Sequence, residues 1–180
     1  MSRILVISTS LRAKSNSDIL AEHLVRGAQD AGHEVDHISL KGKNLKFCTG
    51  CLSCQETQEC ILKDDAVWIA EKVKSADSLV FATPIYYYEM SGQMKTLLDR
   101  LNPLFPSDYR FRNVYMLATA AETGDNVPEK AASGLQGWVD CFEKAELAGI
   151  LFCGGISDPG EASGKVSAQE EAYQFGNDLK

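Results

Sequence analysis

Short runs of apolar and β-branched residues alternate along the chain with longer segments in which apolar residues recur every three or four positions. The first pattern is typical of strands covered on both faces, and the second is typical of amphipathic helices. The apolar runs predict strands at residues 3–9, 34–40, 78–84, 113–120 and 149–155. Because strands and helices alternate along the whole chain, we expect an α/β fold, a doubly wound five-stranded parallel sheet with helices on both faces.

The helical pattern and the residues that end helices and strands complete this outline. Helices are predicted at residues 18–31, from residue 64 or 65 onwards, after residue 92, at 128–148 and at the end of the chain. Gly32 is expected to end the first helix, and Pro84 is expected to end the third strand in a fixed turn. No repeat or linker interrupts the chain, so we expect residues 1–180 to form a single domain, with an irregular cysteine-rich loop at 47–61.

Composition and charge narrow the range of partners. The chain has 180 residues, 44 % hydrophobic and 24 % charged, and no apolar run approaches the roughly 18 residues of a membrane span. The first residues lack the features of a signal peptide, so we expect a cytoplasmic protein with no membrane partner. The net charge is −7 without a Lys/Arg cluster, which argues against nucleic acid as a partner.

Ligands of doubly wound sheets bind at the carboxyl ends of the strands, so the loop after the first strand is a candidate site. It contains neither of the two glycine-rich phosphate motifs. Its candidate ligand residues lead directly into a helix, and they are Ser10, Arg12, Ser15, Asn16 and Ser17. Free N–H groups, hydroxyls and one guanidinium suit a phosphate monoester. The alternative is an ordinary polar turn with a serine cap.

The loop after the third strand contains three consecutive tyrosines, Tyr86, Tyr87 and Tyr88. A flat conjugated ring could lie against such a loop, with Gly92 allowing close approach of the backbone. The alternatives are an aromatic core cluster or a subunit interface. Three consecutive tyrosines cannot all face one core, so at least one is available to a ligand or a partner.

Four segments resemble the NADPH-dependent FMN reductase family of flavodoxin-like proteins. They are TSLRAKSNS (9–17), TPIYYYEMSGQMKTLLDR (83–100), CGGISDPGE (153–161) and, resembling its iron–sulfur flavoprotein branch, CTGCLSCQETQECILKDD (48–65). The second segment matches the family pattern throughout. The first departs from it at Thr9, where the family has glycine, so the backbone there has less freedom to curl around a phosphate.

The resemblance implies a flavodoxin-like fold, FMN as cofactor and NAD(P)H as electron donor, with the cofactor supplying the chemistry and no catalytic side chain assigned. It implies a phosphate site at Ser10, Arg12, Asn16 and Ser17. It implies a wall for the isoalloxazine ring at Thr83, Pro84, Ile85, Tyr86 and Tyr87, and a third flavin loop at Thr119, Ala120 and Gly124. Relatives commonly form a homodimer or homotetramer, which is the expected assembly here.

The cysteines of the loop are spaced C-x2-C-x2-C-x5-C, as Cys48, Cys51, Cys54 and Cys60. The first three match the usual opening of a [4Fe-4S] site, with Cys60 as a fourth ligand. Structural or redox thiols are an alternative, because cluster-free relatives keep a very similar run. Zinc sites prefer two well-separated pairs, so zinc is less favoured. Cys141 and Cys153 are predicted to be small core residues.

Three functions remain open from the sequence. The first is an oxidoreductase that passes electrons from NAD(P)H through FMN to a small acceptor such as a flavin, quinone or nitroaromatic. The second is an iron–sulfur flavoprotein that carries single electrons between redox proteins through FMN and a [4Fe-4S] cluster. The third is a zinc- or thiol-based binding module on a flavodoxin-like scaffold with an empty flavin site.

Overall fold

The computed structural model describes all residues from Met1 to Lys180. Its parallel strands are β1 (Arg3–Ser8), β2 (Glu34–Ser39), β3 (Ser78–Tyr86), β5 (Asn113–Thr119) and β6 (Glu146–Cys153), and a short antiparallel strand is β4 (Glu89–Met90). The parallel strands lie in the order β2-β1-β3-β5-β6, and β4 pairs with the end of β3. This arrangement confirms the predicted doubly wound five-stranded parallel sheet.

Helices cover both faces of the sheet, as predicted. They are α1 (Asn16–Asp30), α2 (Ser53–Thr57), α3 (Asp65–Ser75), α4 (Gly92–Arg100), α5 (Glu129–Val139) and α6 (Val166–Asn177). One core cluster lies between the sheet and α1 and α6, and the larger cluster lies on the opposite face with α3, α4 and α5. Side chains cap three of these helices, Ser15 for α1, Asp64 for α3 and Ser91 for α4. None of the helices combines the length and the apolar character needed to cross a membrane.

The helix predicted at 128–148 is too long. α5 ends at Val139, and β6 begins at Glu146 instead of residue 149. The chain turns at this point because Phe142 packs into an aromatic cluster with Tyr109, Phe111 and Trp138. This tertiary contact outweighs the helical pattern of the sequence.

Pro84 does not end the third strand. β3 continues to Tyr86, and Pro84 lies opposite Thr119 of β5 in the parallel register. The carbonyl of Ala82 accepts from Thr9 on the opposite side of β3, so the N–H that Pro84 lacks would also face that side. β1 has already ended there, so the missing donor breaks no pairing of the sheet.

The predictions for the cysteines and their loop are only partly confirmed. The segment 47–61, predicted to be irregular, contains the short helix α2. Cys141 is exposed in the turn after α5, so its assignment to the core is wrong. Cys153 is buried as predicted, and burial raises the pKa of its thiol to about 11. Cys153 is therefore an unreactive core thiol.

The crossing of α1 and α6 depends on two glycines. A Cβ at Gly27 would lie 2.0 Å from the carbonyl oxygen of Tyr173, and a Cβ at Gly176 would lie 2.0 Å from that of Leu24. We expect Gly27→Ala to lower the free energy of unfolding by about 3 kcal/mol, because two backbones must separate. Urea unfolding measures this loss.

The matched control is Gly137→Ala in α5, where an added Cβ meets nothing within 4 Å. This substitution is expected to raise stability by up to about 1 kcal/mol, the difference in helix propensity between the two residues. If both substitutions changed stability equally, the close approach of α1 and α6 would not be the cause.

Candidate functional site

The polar loop that was predicted to suit a phosphate leads into the start of α1. Ser15 caps the helix, its Oγ accepting from the N–H of Asp18 at 3.4 Å and lying 3.0 Å from Oγ of Ser17. The backbone N–H groups of Asn16 and Ser17 donate to no acceptor of the protein. Unused N–H groups at the positive end of a 15-residue helix, beside buried hydroxyls, make a favourable position for an anion.

A loop that the sequence analysis did not assign to the site forms its outer wall. Arg12 Nη1 donates to the carbonyl of Ser157 at 2.8 Å. The amide of Asn16 donates through Nδ2 to the carbonyl of Asp158 at 2.9 Å and accepts through Oδ1 from the N–H of Ala162 at 3.0 Å. The side chain of Asn16 therefore fixes the loop after β6, and its backbone N–H remains available to a ligand.

These contacts give Asn16 a positioning role that mutation can separate from phosphate binding. We expect Asn16→Ala to weaken FMN and riboflavin binding by the same factor, roughly tenfold. Both ligands would contact the loop after β6, and the Asn16 side chain holds this loop in place. Riboflavin lacks the phosphate, so the dissociation constant of riboflavin divided by that of FMN reports phosphate contacts alone. If this ratio fell in Asn16→Ala, the Asn16 side chain would instead be a direct phosphate ligand.

The tyrosine segment forms a tight hairpin between β3 and β4. Tyr87 and Tyr88 occupy its two turn positions with φ angles of 52° and 66°, a left-handed conformation that non-glycine residues rarely adopt. Tyr87 is 99 % exposed, and Tyr88 donates its O–H to Oε2 of Glu122 at 2.8 Å. This hydrogen bond, with the charge of Glu122, raises the pKa of Tyr88 and joins the hairpin to the loop after β5.

The loops enclose a cavity of about 200 Å³ at the carboxyl edge of the sheet. Most of the predicted cofactor residues line it, together with three that were not predicted, and the full set is Ser10, Arg12, Ser15, Asn16, Pro84, Ile85, Tyr86, Thr119, Ala120, Ala121, Ile156 and Ser157. An adjoining cavity of about 200 Å³ shares Ile85, Ala120 and Ala121 and reaches Tyr87. The polar start of α1 and the tyrosine hairpin therefore open into one continuous depression.

Three predicted residues lie outside the lining of these cavities. Ser17 is buried with its Oγ 3.0 Å from that of Ser15, and its backbone N–H has no acceptor in the protein. Thr83 is buried, and its Oγ1 accepts from the N–H of Ser91 at 3.0 Å. The carbonyl of Gly124 accepts from Val127 in the turn after β5. Thr83 and Gly124 therefore stabilise the conformation of the loops around the cavity.

The four cysteines of the 47–61 segment line one small pocket of about 20 Å³, together with Arg100 and Asn102. Cys48 and Cys51 are exposed, Cys54 is buried and Cys60 is partly buried. Hydrogen bonds from Ser53 lower the pKa of Cys51. Across the described chain, no three cysteine, histidine or acidic side chains converge into a set that could hold a metal ion.

Two observations nevertheless fit an iron–sulfur centre at this pocket. Four thiols are the donor set that such a centre requires. Arg100 lines the same pocket, and its buried Nε–H has no hydrogen-bond partner. A buried donor without an acceptor is rare in folded proteins and indicates a missing partner.

The fold and this rim define the class of protein. It is a doubly wound α/β protein of the flavodoxin type, with a cavity at the carboxyl edge of the sheet that is lined by serine hydroxyls, Arg12 and Tyr86. The sequence profile of NADPH-dependent FMN reductases matches residues 2–143. The chain belongs to the NADPH-dependent FMN reductase family, as its motifs indicated.

Individual relatives carry two kinds of name. An iron-sulfur flavoprotein of Methanocaldococcus jannaschii is 35 % identical over 102 residues, 57 % of this chain and 53 % of that protein. A Bacillus subtilis protein, YwqN, provisionally named an NAD(P)H-dependent FMN-containing oxidoreductase, is 28 % identical over 182 residues, 98 % of this chain and 96 % of that protein. The chain spans about half the length of the first curated relatives that it matches.

A solved structure supports the fold. The NAD(P)H:quinone oxidoreductase of Methanothermobacter marburgensis aligns with a TM-score of 0.74 over 99 % of both chains, at 17 % sequence identity. At this identity the likeness establishes the flavodoxin-like fold, which confirms the fold that the motifs implied.

Proposed function

We propose that this protein is an FMN-dependent oxidoreductase that passes electrons from NAD(P)H to a small acceptor such as a flavin, quinone or nitroaromatic. The observation that carries the proposal is the continuity of the unused N–H groups of Asn16 and Ser17 with the cavity beside Tyr86. A mononucleotide has an anionic end and a flat aromatic end, and this depression matches both. Membership of the NADPH-dependent FMN reductase family supports the same cofactor.

The chain's own residues bind and orient the cofactor. Ser10, Ser15 and the N–H groups that begin α1 hold the phosphate, and Arg12 places a positive charge beside it. Ile85 and Tyr86 bound the aromatic end on one side, while Thr119 and Ala120 bound it on the other. FMN, when bound, accepts hydride from NAD(P)H and releases electrons singly or in pairs.

The bond between Tyr88 and Glu122 keeps the two loops that flank the ring together. The exposed Tyr87 stands at the mouth of the depression, where a second substrate would enter. We also propose that residues 1–180 form a single FMN-binding domain. The homodimer or homotetramer stays a prediction.

The second candidate function is an electron carrier that uses both FMN and a [4Fe-4S] cluster. Four thiols on one pocket and the unpartnered Nε of Arg100 favour it, and several relatives are named iron-sulfur flavoproteins. In this version Cys48, Cys51, Cys54 and Cys60 hold the cluster, which exchanges single electrons when bound.

Anaerobic mixing of the FMN-loaded protein with NADPH or NADH tests the oxidoreductase. We expect the flavin absorbance to bleach with at least one nucleotide and to return when a quinone is added. A carrier that reacts only with redox proteins would keep its colour with both nucleotides, and this result would contradict the proposed enzyme. Iron and sulfide analysis of the same sample shows separately whether the cluster is present.

A further inference from the structure

Arg100, at the end of α4, is the most fully engaged buried cation of the chain. Its Nη1 donates to the carbonyl of Lys46 at 2.7 Å and to Asp64 Oδ2 at 2.6 Å. Its Nη2 donates to the carbonyl of Leu62 at 3.1 Å and to Asp64 Oδ1 at 2.8 Å. Four of the five guanidinium hydrogens therefore have oxygen acceptors, a degree of pairing that a buried charge requires.

These acceptors lie at both ends of the cysteine segment. Lys46 precedes the segment, and Leu62 and Asp64 follow it. Asp64 Oδ2 also accepts from the N–H of Lys46 at 2.8 Å, which closes the base of the loop. Arg100 and Asp64 thus fix the two stems between which all four thiols are placed.

The fifth donor, Nε–H, is buried and has no partner. Arg100 lines the cysteine pocket, whose other walls include Cys60. An arginine guanidinium keeps its proton in proteins. Arg100 and Cys60 line the same pocket, so a permanent positive charge lies near the thiols.

A second N–H donor approaches another of the sulfurs. Asn102 lies two residues after the end of α4, and its Nδ2 donates to Cys54 Sγ at 3.2 Å. Cys54 and Cys60, the less exposed thiols, line the pocket together with Arg100 and Asn102. The exposed thiols have donors from their own loop instead: Cys48 accepts from the N–H of Gly50 at 3.4 Å, and Cys51 accepts from Ser53. The inner pair is therefore the pair beside the side-chain donors at the end of α4.

We propose that Arg100 and Asn102 tune the cysteine pocket by donating to the sulfurs of Cys60 and Cys54 when the pocket holds an iron–sulfur cluster. The inference rests on the second candidate function and on no other part of the proposed function. N–H donors beside ligand sulfurs favour the more negative, reduced state of a cluster. The two residues therefore make the cluster easier to reduce than bare thiolates would.

Reconstitution of the FMN-loaded protein with ferrous iron and sulfide under anaerobic conditions provides the test. The reduction potential of the cluster is measured by titration with dithionite in wild type, Asn102→Leu and Arg100→Lys. Leucine matches the size of asparagine without its N–H donors, and lysine keeps the charge of Arg100 without its planar fork. We expect Asn102→Leu to lower the equilibrium constant for one-electron reduction about two- to tenfold, a shift of about 20–60 mV to lower potential.

Gln58→Asn is the matched control, because Gln58 lies in the same segment and donates to the carbonyl of Pro106 instead of a sulfur. Its potential is expected to equal that of wild type. An unchanged potential in Asn102→Leu, with iron retained, would overturn the tuning role and leave the iron–sulfur candidate standing. Wild-type protein that retains no iron and sulfide would remove that candidate and this inference together, while FMN binding remains a separate readout.

If Arg100→Lys fails to fold, the reduction potential of Asn102→Leu alone tests the proposal, because Asn102 makes none of the contacts by which Arg100 holds the two ends of the loop. If both variants fold, we expect the potential to fall in each. A lower potential in Arg100→Lys alone would assign the effect to the stems of the loop and overturn the role of Asn102.

Discussion

Replacing Asp64 by alanine is expected to lower the free energy of unfolding by about 3–5 kcal/mol, the largest stability effect of the substitutions considered. The side chains of Asp64 and Arg100 are both 0 % exposed, and their oxygens and nitrogens meet at 2.6 Å. Without Asp64 the guanidinium stays buried with an uncompensated charge, and the N–H of Lys46 loses its acceptor. Urea unfolding at pH 7 measures the loss.

The control for this prediction is the exposed ion pair between Lys144 and Asp108. Asp108 is 93 % exposed, so Asp108→Ala should change stability by less than about 1 kcal/mol. A comparable loss in both variants would mean that burial of the Arg100–Asp64 pair is not what makes Asp64 important.

The contribution of Asp64 also has a defined dependence on pH. Burial raises its pKa, but hydrogen bonds from Arg100 and from the backbone of Lys46 outweigh burial, and the net pKa is lowered. A lowered folded pKa gives stability that is complete above the unfolded value of about 3.9 and is lost as pH falls through the folded value. The difference in stability between wild type and Asp64→Ala should therefore narrow in acid.

Ser15→Asp is expected to abolish tight FMN binding while leaving the fold intact. Ser15 caps α1 and lines the cavity in which we propose that the phosphate binds, and aspartate caps helices as well as serine does. Its carboxylate would lie beside the phosphate. Two like charges about 4 Å apart repel by about 4 kcal/mol at an effective dielectric constant near 20, so FMN affinity should fall about 1,000-fold.

Ser15→Asn isolates the charge, since asparagine has the size of aspartate and is an equally good cap. We expect Ser15→Asn to bind FMN at least about 100-fold more tightly than Ser15→Asp does, and both to bind riboflavin alike. Equal FMN affinities for the two variants would place the phosphate away from Ser15.

The sheet and most of the rim could be predicted because both depend on local patterns. Apolar runs identified every parallel strand, and the residues that follow parallel strands meet at one edge whatever the strand order. Ser10, Arg12 and Tyr86 were therefore expected together, and the structure brings them to one cavity. The carboxyl-edge rule required no knowledge of long-range contacts.

The parts that the sequence analysis missed depend on contacts between distant segments. The outer wall at Ser157 reaches the pocket through bonds to Arg12 and Asn16, more than 140 residues earlier in the chain. The segment CGGISDPGE follows the last strand, so the carboxyl-edge rule places it at this edge, but no local pattern shows that it contacts Arg12 and Asn16. The early end of α5 has the same kind of cause, because Phe142 packs against aromatic residues of the preceding loop.

The cysteine loop could be predicted only in part. The spacing of its cysteines is visible in the sequence. The sequence does not show that Cys54 and Cys60 lie in one pocket with Arg100 and Asn102 at the end of α4. Arg100 belongs to the motif of residues 83–100, which was interpreted only as a flavin segment. The structure shows that this motif also closes the base of the cysteine loop.

A crystal structure of the protein with FMN tests the central claim most directly. We predict the phosphate within hydrogen-bonding distance of the backbone N–H groups of Asn16 and Ser17, with the ring between Tyr86 and the loop that begins at Thr119. FMN bound at another surface, or crystals grown with excess FMN that show this depression filled by side chains of the protein, would contradict the account.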